Sequence, residues 1–212
     1  MLWLLLPLGF LLGSIPFGLI LGKLKGVDIR EHGSGNIGST NVFRTLGKQS
    51  GILCLILDFS KGFIPVLLAV KLTPDNTLGQ TIEVATAMAA ILGHNYSPWI
   101  SFKGGKGIAT TGGALIPIMP VGVVVLILIF LVVTFITKYV SVGSIATAIA
   151  LPMTTFGGSY SHGYVADGTW NKPLFIFSLI AGILAVWKHR GNIARLRAGT
   201  ESRINEKKEI KS

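Results

Sequence analysis

The sequence predicts an all-α polytopic membrane protein with seven transmembrane helices, its N-terminus outside and its C-terminus in the cytoplasm. Three observations carry that prediction. Half of the 212 residues are apolar and only 13% are charged, with a mean hydropathy of +0.64, whereas a soluble domain carries about 25% charged residues. Apolar runs fall at 2–22, 51–71, 81–100, 108–119, 121–137, 140–158 and 173–188, and a helix needs roughly 20 such residues to cross a bilayer. Finally, all but three of the 19 Lys and Arg residues (Lys61, Lys71 and Lys172) fall in four groups, at 23–49, at 103–106, at Lys138 and at 188–212.

The charge groups set the topology. If all four face the cytoplasm, an even number of crossings must separate each from the next. Seven crossings satisfy this, provided the short, glycine-rich fourth run crosses and Pro117 and Pro120 form an outer turn. Joining 108–137 into one span would put the basic tail outside. The formal charge of +10 then follows from the positive-inside rule, and no nucleic-acid partner is expected.

In chain order, the first run starts Met-Leu-Trp-Leu-Leu-Leu, without a basic n-region or a small-x-small cleavage site, and reads as a retained span. Gly9 with Gly13, and Gly18 with Gly22, have the i,i+4 spacing that lets helix backbones approach closely. The second run holds Cys54, which has no internal disulfide partner, and the in-span pair Asp58 and Lys61. Charged residues within a span face the bundle interior, pair with each other or mark a site. The third run is mixed, with Glu83, Thr86, His94 and Asn95. The whole chain, 1–212, reads as one domain, with a short, charged, frayed tail over 201–212.

Three stretches carry chemistry. Residues 33–44 (Gly-Ser-Gly-Asn-Ile-Gly-Ser-Thr-Asn-Val-Phe-Arg) offer closely approachable backbone N–H groups and short polar side chains, the makings of an anion nest. Gly33, Gly35 and Gly38 also fit G-x-G-x-x-G, but a dinucleotide site needs a preceding strand, and here the flanks are a membrane span and a polar run. The second stretch sets Lys103 and Lys106 among Gly104, Gly105 and Gly107, after His94, Asn95, Tyr96 and Trp99. It resembles a phosphate cradle without being a Walker A loop, since Gly107 stands where Ser or Thr should follow the lysine. The third, from Lys188 through His189, Arg190, Asn192, Arg195 and Arg197 to Glu201, is dense in donors, and His189 and Asn192 share a face if the helix continues. His162 and Asp167 satisfy His-x-x-x-x-Asp, but the topology puts them in the outer loop, where the pattern reads as coincidence.

Three anion-suited loops on one membrane face imply a substrate with phosphate and a greasy part. The ordered blocks, from Gly13 (Gly-Ser-Ile-Pro-Phe-Gly) through Arg44, from Gly93 to Gly107, and from His189 to Glu201, resemble the bacterial acyl-phosphate:glycerol-3-phosphate acyltransferases, the integral-membrane family known as PlsY. With the connecting spans they cover nearly the whole chain. The resemblance implies a cytosolic site in the bacterial inner membrane. It also implies transfer of a fatty acyl group from acyl phosphate to the sn-1 hydroxyl of glycerol 3-phosphate, giving lysophosphatidic acid and phosphate, the first acylation of phospholipid synthesis. It implies no cofactor and no metal, and makes a functional hand-off with the acyl-phosphate-forming enzyme plausible. The outer loop over 154–172 has no role in it.

On that reading the backbone and side chains of 34–38, with Arg44 and Lys103, are expected on the donor's phosphate, Arg44 foremost because guanidinium can fork onto two oxygens. His189 and Asn192 complete the catalytic set by resemblance. Gly33, Gly35, Asn36, Gly38, Thr40, Asn41, His94, Asn95, Gly104, Gly105, Lys106, Arg195 and Glu201 are the expected substrate-binding residues, with Lys106 or Arg195 as alternative holders of glycerol 3-phosphate. The general base stays open between His189 and a phosphate oxygen of the substrate. The rival reading is a membrane transporter of an organic phosphate, which would have a midplane site and often an inverted repeat.

Overall fold

The computed structural model describes residues 1–163 and 165–204; Tyr164 of the outer loop and 205–212 of the charged tail lie outside the described residues. The described residues are helical wherever they are regular. A 3-10 turn, Leu2–Leu4, leads into α1 (Leu5–Ser14) and α2 (Phe17–Leu24). The first apolar run is therefore broken. Pro16 disfavours helical backbone at the residue before it, and Ile15 is extended at φ −61°, ψ 118°. After the 25–38 segment come α3 (Ser39–Leu46), α4 (Lys48–Leu72) and α5 (Thr77–Asn95). A 3-10 turn, Pro98–Ile100, precedes α6 (Ile108–Leu115), α7 (Pro120–Thr137), α8 (Val140–Ser161), α9 (Lys172–Lys188) and α10 (Arg190–Arg197).

Four stretches are long and apolar enough to cross a membrane: Leu2–Leu24 together, α4, α7 and α8; the count becomes five if α9 and α10, bent by 50°, are taken as one. The remaining expected spans differ for physical reasons. Helix α5 runs through the middle of the bundle, with Thr86, Ala87 and Ala90 fully buried, so its sides meet protein and need not be apolar. The fourth run gives only the eight-residue α6, about 12 Å at 1.5 Å per residue. It lies against α4, and the chain turns at 116–119 into α7, with Pro120 in the first helical turn.

Close backbone approach holds these pairs. A Cβ on Gly13 would strike the backbone of Ala90, seating α1 on α5, and one on Gly62 would strike the Thr110 carbonyl, seating α6 on α4. The paired glycines of the first run are thus packing positions, as their spacing predicts. The main core joins Val66 of α4, Ile91 of α5, Leu115 of α6, Leu126 of α7, Leu151 of α8 and Phe177 of α9. The outer face of α7, with Leu128, Val132 and Phe135, is exposed.

Gly13→Val should destabilise the protein by about 1–3 kcal/mol, the range for overpacking a tight contact, read as a lower unfolding temperature in detergent. Leu8→Val, at a position exposed on the outside of α1, should leave that temperature unchanged.

Candidate active site

The three polar stretches meet at one end of the bundle. In the first, Gly33 and Gly35 take positive φ values of 60° and 68°, and a Cβ on Gly33 would strike Asn41 Oδ1. Asn41 explains the loop's shape. Its buried Oδ1 accepts from Ser34 N at 2.8 Å, while Nδ2 donates to the carbonyls of Ile29 and His32 at 2.9 and 3.1 Å. That amide shapes the loop from within, and Asn41 also borders the main cavity described below. Asn36 Oδ1 accepts from Gly38 N at 2.9 Å. Helix α3 then starts at Gly38 with no side-chain cap, leaving first-turn N–H groups of the kind that attract anions, and Ser39 and Thr40 line a cavity there. Arg44, in the last turn of α3, lines the same cavity and donates Nη2 to the Ser202 carbonyl at 3.1 Å.

The second stretch separates its two lysines. Lys103 is exposed and lines neither cavity described below. Lys106 points inward and donates to Asn192 Oδ1 at 2.5 Å. Of the two lysines expected near phosphate, Lys106 faces the cavities and Lys103 faces outward. The loop turns its side chains this way because Gly105 N donates to the His94 carbonyl at 3.0 Å, and a Cβ on Gly105 would strike the His94 ring. His94 and Asn95 are buried beneath the glycines; His94 borders the main cavity, and the Asn95 carbonyl accepts from Lys188 Nζ at 3.0 Å. Burial pushes the Lys106 ammonium down to about 8, with the charges of Arg195, Arg44 and Lys188 adding to the effect against the pull of Glu201.

In the third stretch the helix does not run straight through. It bends at His189, whose backbone (φ −92°, ψ 5°) closes α9 and opens α10. The buried His189 Nδ1 lies 2.8 Å from the Ala185 carbonyl. A carbonyl only accepts, so Nδ1 carries the proton and Nε2 the lone pair. Burial, reinforced by the Lys106 charge, pushes the imidazole down to about 4 and keeps it neutral at physiological pH. Glu201 is the hub of this stretch: Oε1 accepts from Ser141 Oγ at 2.8 Å and Asn192 Nδ2 at 2.6 Å, and Oε2 from Arg195 Nε at 2.8 Å. Burial opposes its ionisation, yet the three donors outweigh it and hold the carboxyl below its ordinary range. A carboxylate so engaged fixes Asn192 and Arg195 in place; it does not attract an anionic substrate. Ser141 and the carbonyl of Ser202 escaped the sequence reading, because nothing local ties them to the site.

Two cavities open among these residues. The larger, of about 620 Å³, has a polar end at Ser34, Asn36, Arg44, Lys106, His189 and Asn192, and an apolar body between Leu55 and Phe59 of α4, Leu126 and Phe130 of α7, and Leu151 of α8. The smaller, of about 290 Å³, is mainly polar, with Gly104, Lys188, Arg190, Gly191 and Arg195 in its lining. Ser34, Asn36, Lys106 and Asn192 line both. His162 and Asp167 line neither.

Comparison with known proteins bears on this arrangement directly. The family model described as Glycerol-3-phosphate acyltransferase matches residues 3–199. The chain is similar to the glycerol-3-phosphate acyltransferase of Desulforamulus reducens, 44% identical over 94% of this chain and 93% of the relative, and to that of Geotalea daltonii, 47% identical over 91% and 92%. Among solved structures it is similar to PlsY (YgiH), an integral membrane glycerol 3-phosphate acyltransferase. In the glycerol 3-phosphate form the match has a TM-score of 0.83 at 39% identity, covering 95% of this chain and 94% of that one. In the lysophosphatidic acid form the values are 0.79 and 38%, with the same coverage. An all-helical frame, an anion-suited cluster at one end and an apolar body beneath it fit what these relatives are: the chain belongs to the glycerol-3-phosphate acyltransferase family of integral membrane enzymes.

Proposed function

We propose that this acyltransferase takes its acyl group from acyl phosphate and delivers it to the sn-1 hydroxyl of glycerol 3-phosphate, releasing lysophosphatidic acid and phosphate. The observation that carries the reading is the pair of cavities with a common wall. One is polar and one is amphipathic, and Ser34, Asn36, Lys106 and Asn192 line both. A small, doubly charged acceptor suits the polar cavity. A donor with a phosphate head and a long acyl chain suits the other, and the reacting carbonyl then falls at the shared wall. The solved relatives support the acceptor and the product, since their names give a glycerol 3-phosphate form and a lysophosphatidic acid form.

The attacking hydroxyl oxygen bonds to the acyl carbonyl carbon, the bond from that carbon to the bridging phosphate oxygen breaks, and the phosphate leaves with the electron pair. Arg44, Lys106 and the open start of α3 neutralise the leaving phosphate; fixed donors aimed at developing charge are the largest contribution an active site makes. Arg195 and Lys188, on the polar side, hold the acceptor's phosphate. Neutral His189 accepts a hydrogen bond at Nε2 from the attacking hydroxyl, and the proton ends on the released phosphate. Holding hydroxyl and carbonyl together supplies up to roughly 7–11 kcal/mol in well-oriented systems. The orientation that serves this chemistry has seven crossings, with the N-terminus outside and the site on the cytoplasmic face of the bacterial inner membrane. There an acyl-phosphate-forming enzyme can hand over the donor.

Incubation of the purified protein with glycerol 3-phosphate and either palmitoyl phosphate or palmitoyl-CoA tests the donor. Phosphate release and lysophosphatidic acid are expected with palmitoyl phosphate, and turnover with the CoA ester alone would reverse the assignment.

Arg44→Ala should lower turnover about a hundredfold or more, the scale for losing one donor to the developing charge, in a protein that still unfolds cooperatively. Near-normal phosphate release from that variant removes Arg44 from the site.

The pH profile tests Lys106. Burial disfavours its charged form, so the positive charge is present below about 8 and lost above it. Because kcat/KM reports ionisations of the free enzyme, it should fall as pH rises past that point. Lys106→Arg should move the alkaline limb upward, since guanidinium stays charged; an unmoved limb would belong to another group.

A further inference from the structure

The break in the first span creates a demand for hydrogen-bond donors in a place remote from water. Where α1 stops before Pro16, its last carbonyls lose their helical partners. The Ile15 carbonyl keeps one backbone donor, Phe17 N at 3.1 Å, and two side chains from elsewhere supply further donors. Ser97 Oγ donates to the Ser14 carbonyl at 2.6 Å, and Lys61 Nζ, from the middle of α4, donates to the Ile15 carbonyl at 2.8 Å. Trp99 Nε1 adds a bond to Ser14 Oγ at 2.8 Å. The Lys61 ammonium is balanced by Asp58 Oδ1 at 2.7 Å, both side chains being 3% exposed, and lies 5.6 Å from the centre of the Phe17 ring. Asp58 in turn borders the main cavity, with His94 Nδ1 at 3.8 Å.

What this ties together is specific. Ser97 belongs to the loop that carries Lys106. Phe17 starts α2, whose Gly18 is pressed against the Ile37 carbonyl of the 33–38 loop so closely that a Cβ would collide with it. The break thus has the glycine loop with Ser34 and Asn36 on one side and the lysine loop on the other, with Lys61 between. A buried ion pair is a poor source of stability, because desolvation offsets the attraction. An apolar pair would fill the space as well but would leave the Ile15 carbonyl without this donor.

We propose that Lys61, charged and oriented by Asp58, is a positioning residue of the acyltransferase: its bond to the Ile15 carbonyl sets the angle between α1 and α2 and so the spacing of the two phosphate-binding loops. The proposal rests on the acyltransferase reading of the site.

The test uses the full chain in nanodiscs with Lys61→Met, the double variant Asp58→Asn with Lys61→Met, and Lys61→Arg. Lys61→Met strands the Asp58 carboxylate and should lower the unfolding temperature. The double variant removes that stranded charge and should unfold like the parent, yet show a KM for glycerol 3-phosphate about tenfold higher with a much smaller change in kcat. Lys61→Arg keeps a charged donor and should restore most of the lost affinity. A double variant with parental unfolding and a KM within about twofold of the parent overturns the proposal. A second readout does not depend on turnover. Spin labels on Glu31→Cys and Ser101→Cys, both exposed positions, in a Cys54→Ala background should give one narrow distance in the parent and a shifted or broadened one with Asp58→Asn and Lys61→Met added. An unchanged distribution overturns the clamp. Absence of glycerol 3-phosphate-dependent turnover in the parent would refute the acyltransferase reading, and the distances would still decide the clamp.

Discussion

The constraint on which the structure depends is that a chain inside a bilayer must satisfy its own backbone. A straight first span would do so by itself, but it would carry the 25–38 segment straight out of the bundle. Pro16 breaks the span, and the carbonyls it releases are met by Ser97 and Lys61. The bend lets α2 lie beside the 33–38 loop, which Asn41 then shapes from inside. The polar groups buried at this end of the bundle follow from that choice: a break needs donors, a charged donor needs a counter-ion, and Asp58 is that counter-ion.

A second consequence is electrostatic. Arg44, Lys106, Lys188 and Arg195 line two adjoining cavities; among the described residues Glu201, held by three donors, is the carboxylate bonded into that cluster, while Asp58, at the edge of the larger cavity, is paired with Lys61. The result is a concentrated positive field at one end of the bundle, of the sign that draws phosphate groups. Burial keeps His189 neutral, and the nearby Lys106 charge adds to the effect. A neutral imidazole with its lone pair on Nε2 is an acceptor, suited to orienting a hydroxyl.

The membrane class, the clustering of three polar stretches at one end and the placement of Arg44, His189 and Asn192 at one cavity were legible in the sequence, because composition, charge grouping and glycine-rich loops are local signals. What was not legible depends on direction and distance. Lys103 and Lys106 have equivalent sequence surroundings, and only the packing of Gly105 on His94 decides which one points inward. Asn41 reads like any other polar residue of its loop until its amide is seen closing that loop. Ser141 and Ser202 lie far from the site in sequence and reach it through Glu201 and Arg44. Gly62 and Gly113 let the short α6 nest against α4, and hydropathy alone gives no hint of that packing.

The anhydride donor proposed above needs little acid–base machinery. Phosphate is a good leaving group when its charge is neutralised, so the barrier lies chiefly in bringing two anions together and aligning a hydroxyl with a carbonyl. A cluster of fixed cations meets the first requirement, and its geometry must not relax when the substrates arrive. Every cation but one is held by another part of the chain: Arg44 by the Ser202 carbonyl, Lys106 by Asn192, Lys188 by the Asn95 carbonyl and Arg195 by Glu201, whereas Arg190 bonds within its own turn, to the Trp187 carbonyl. These four ties cross between the three loops or close within the last of them, so the loops are fixed to one another as a single unit. Preorganisation of that kind is the alternative to a strong base, and it places the demand on the segments beneath the site, where the broken first span meets α4.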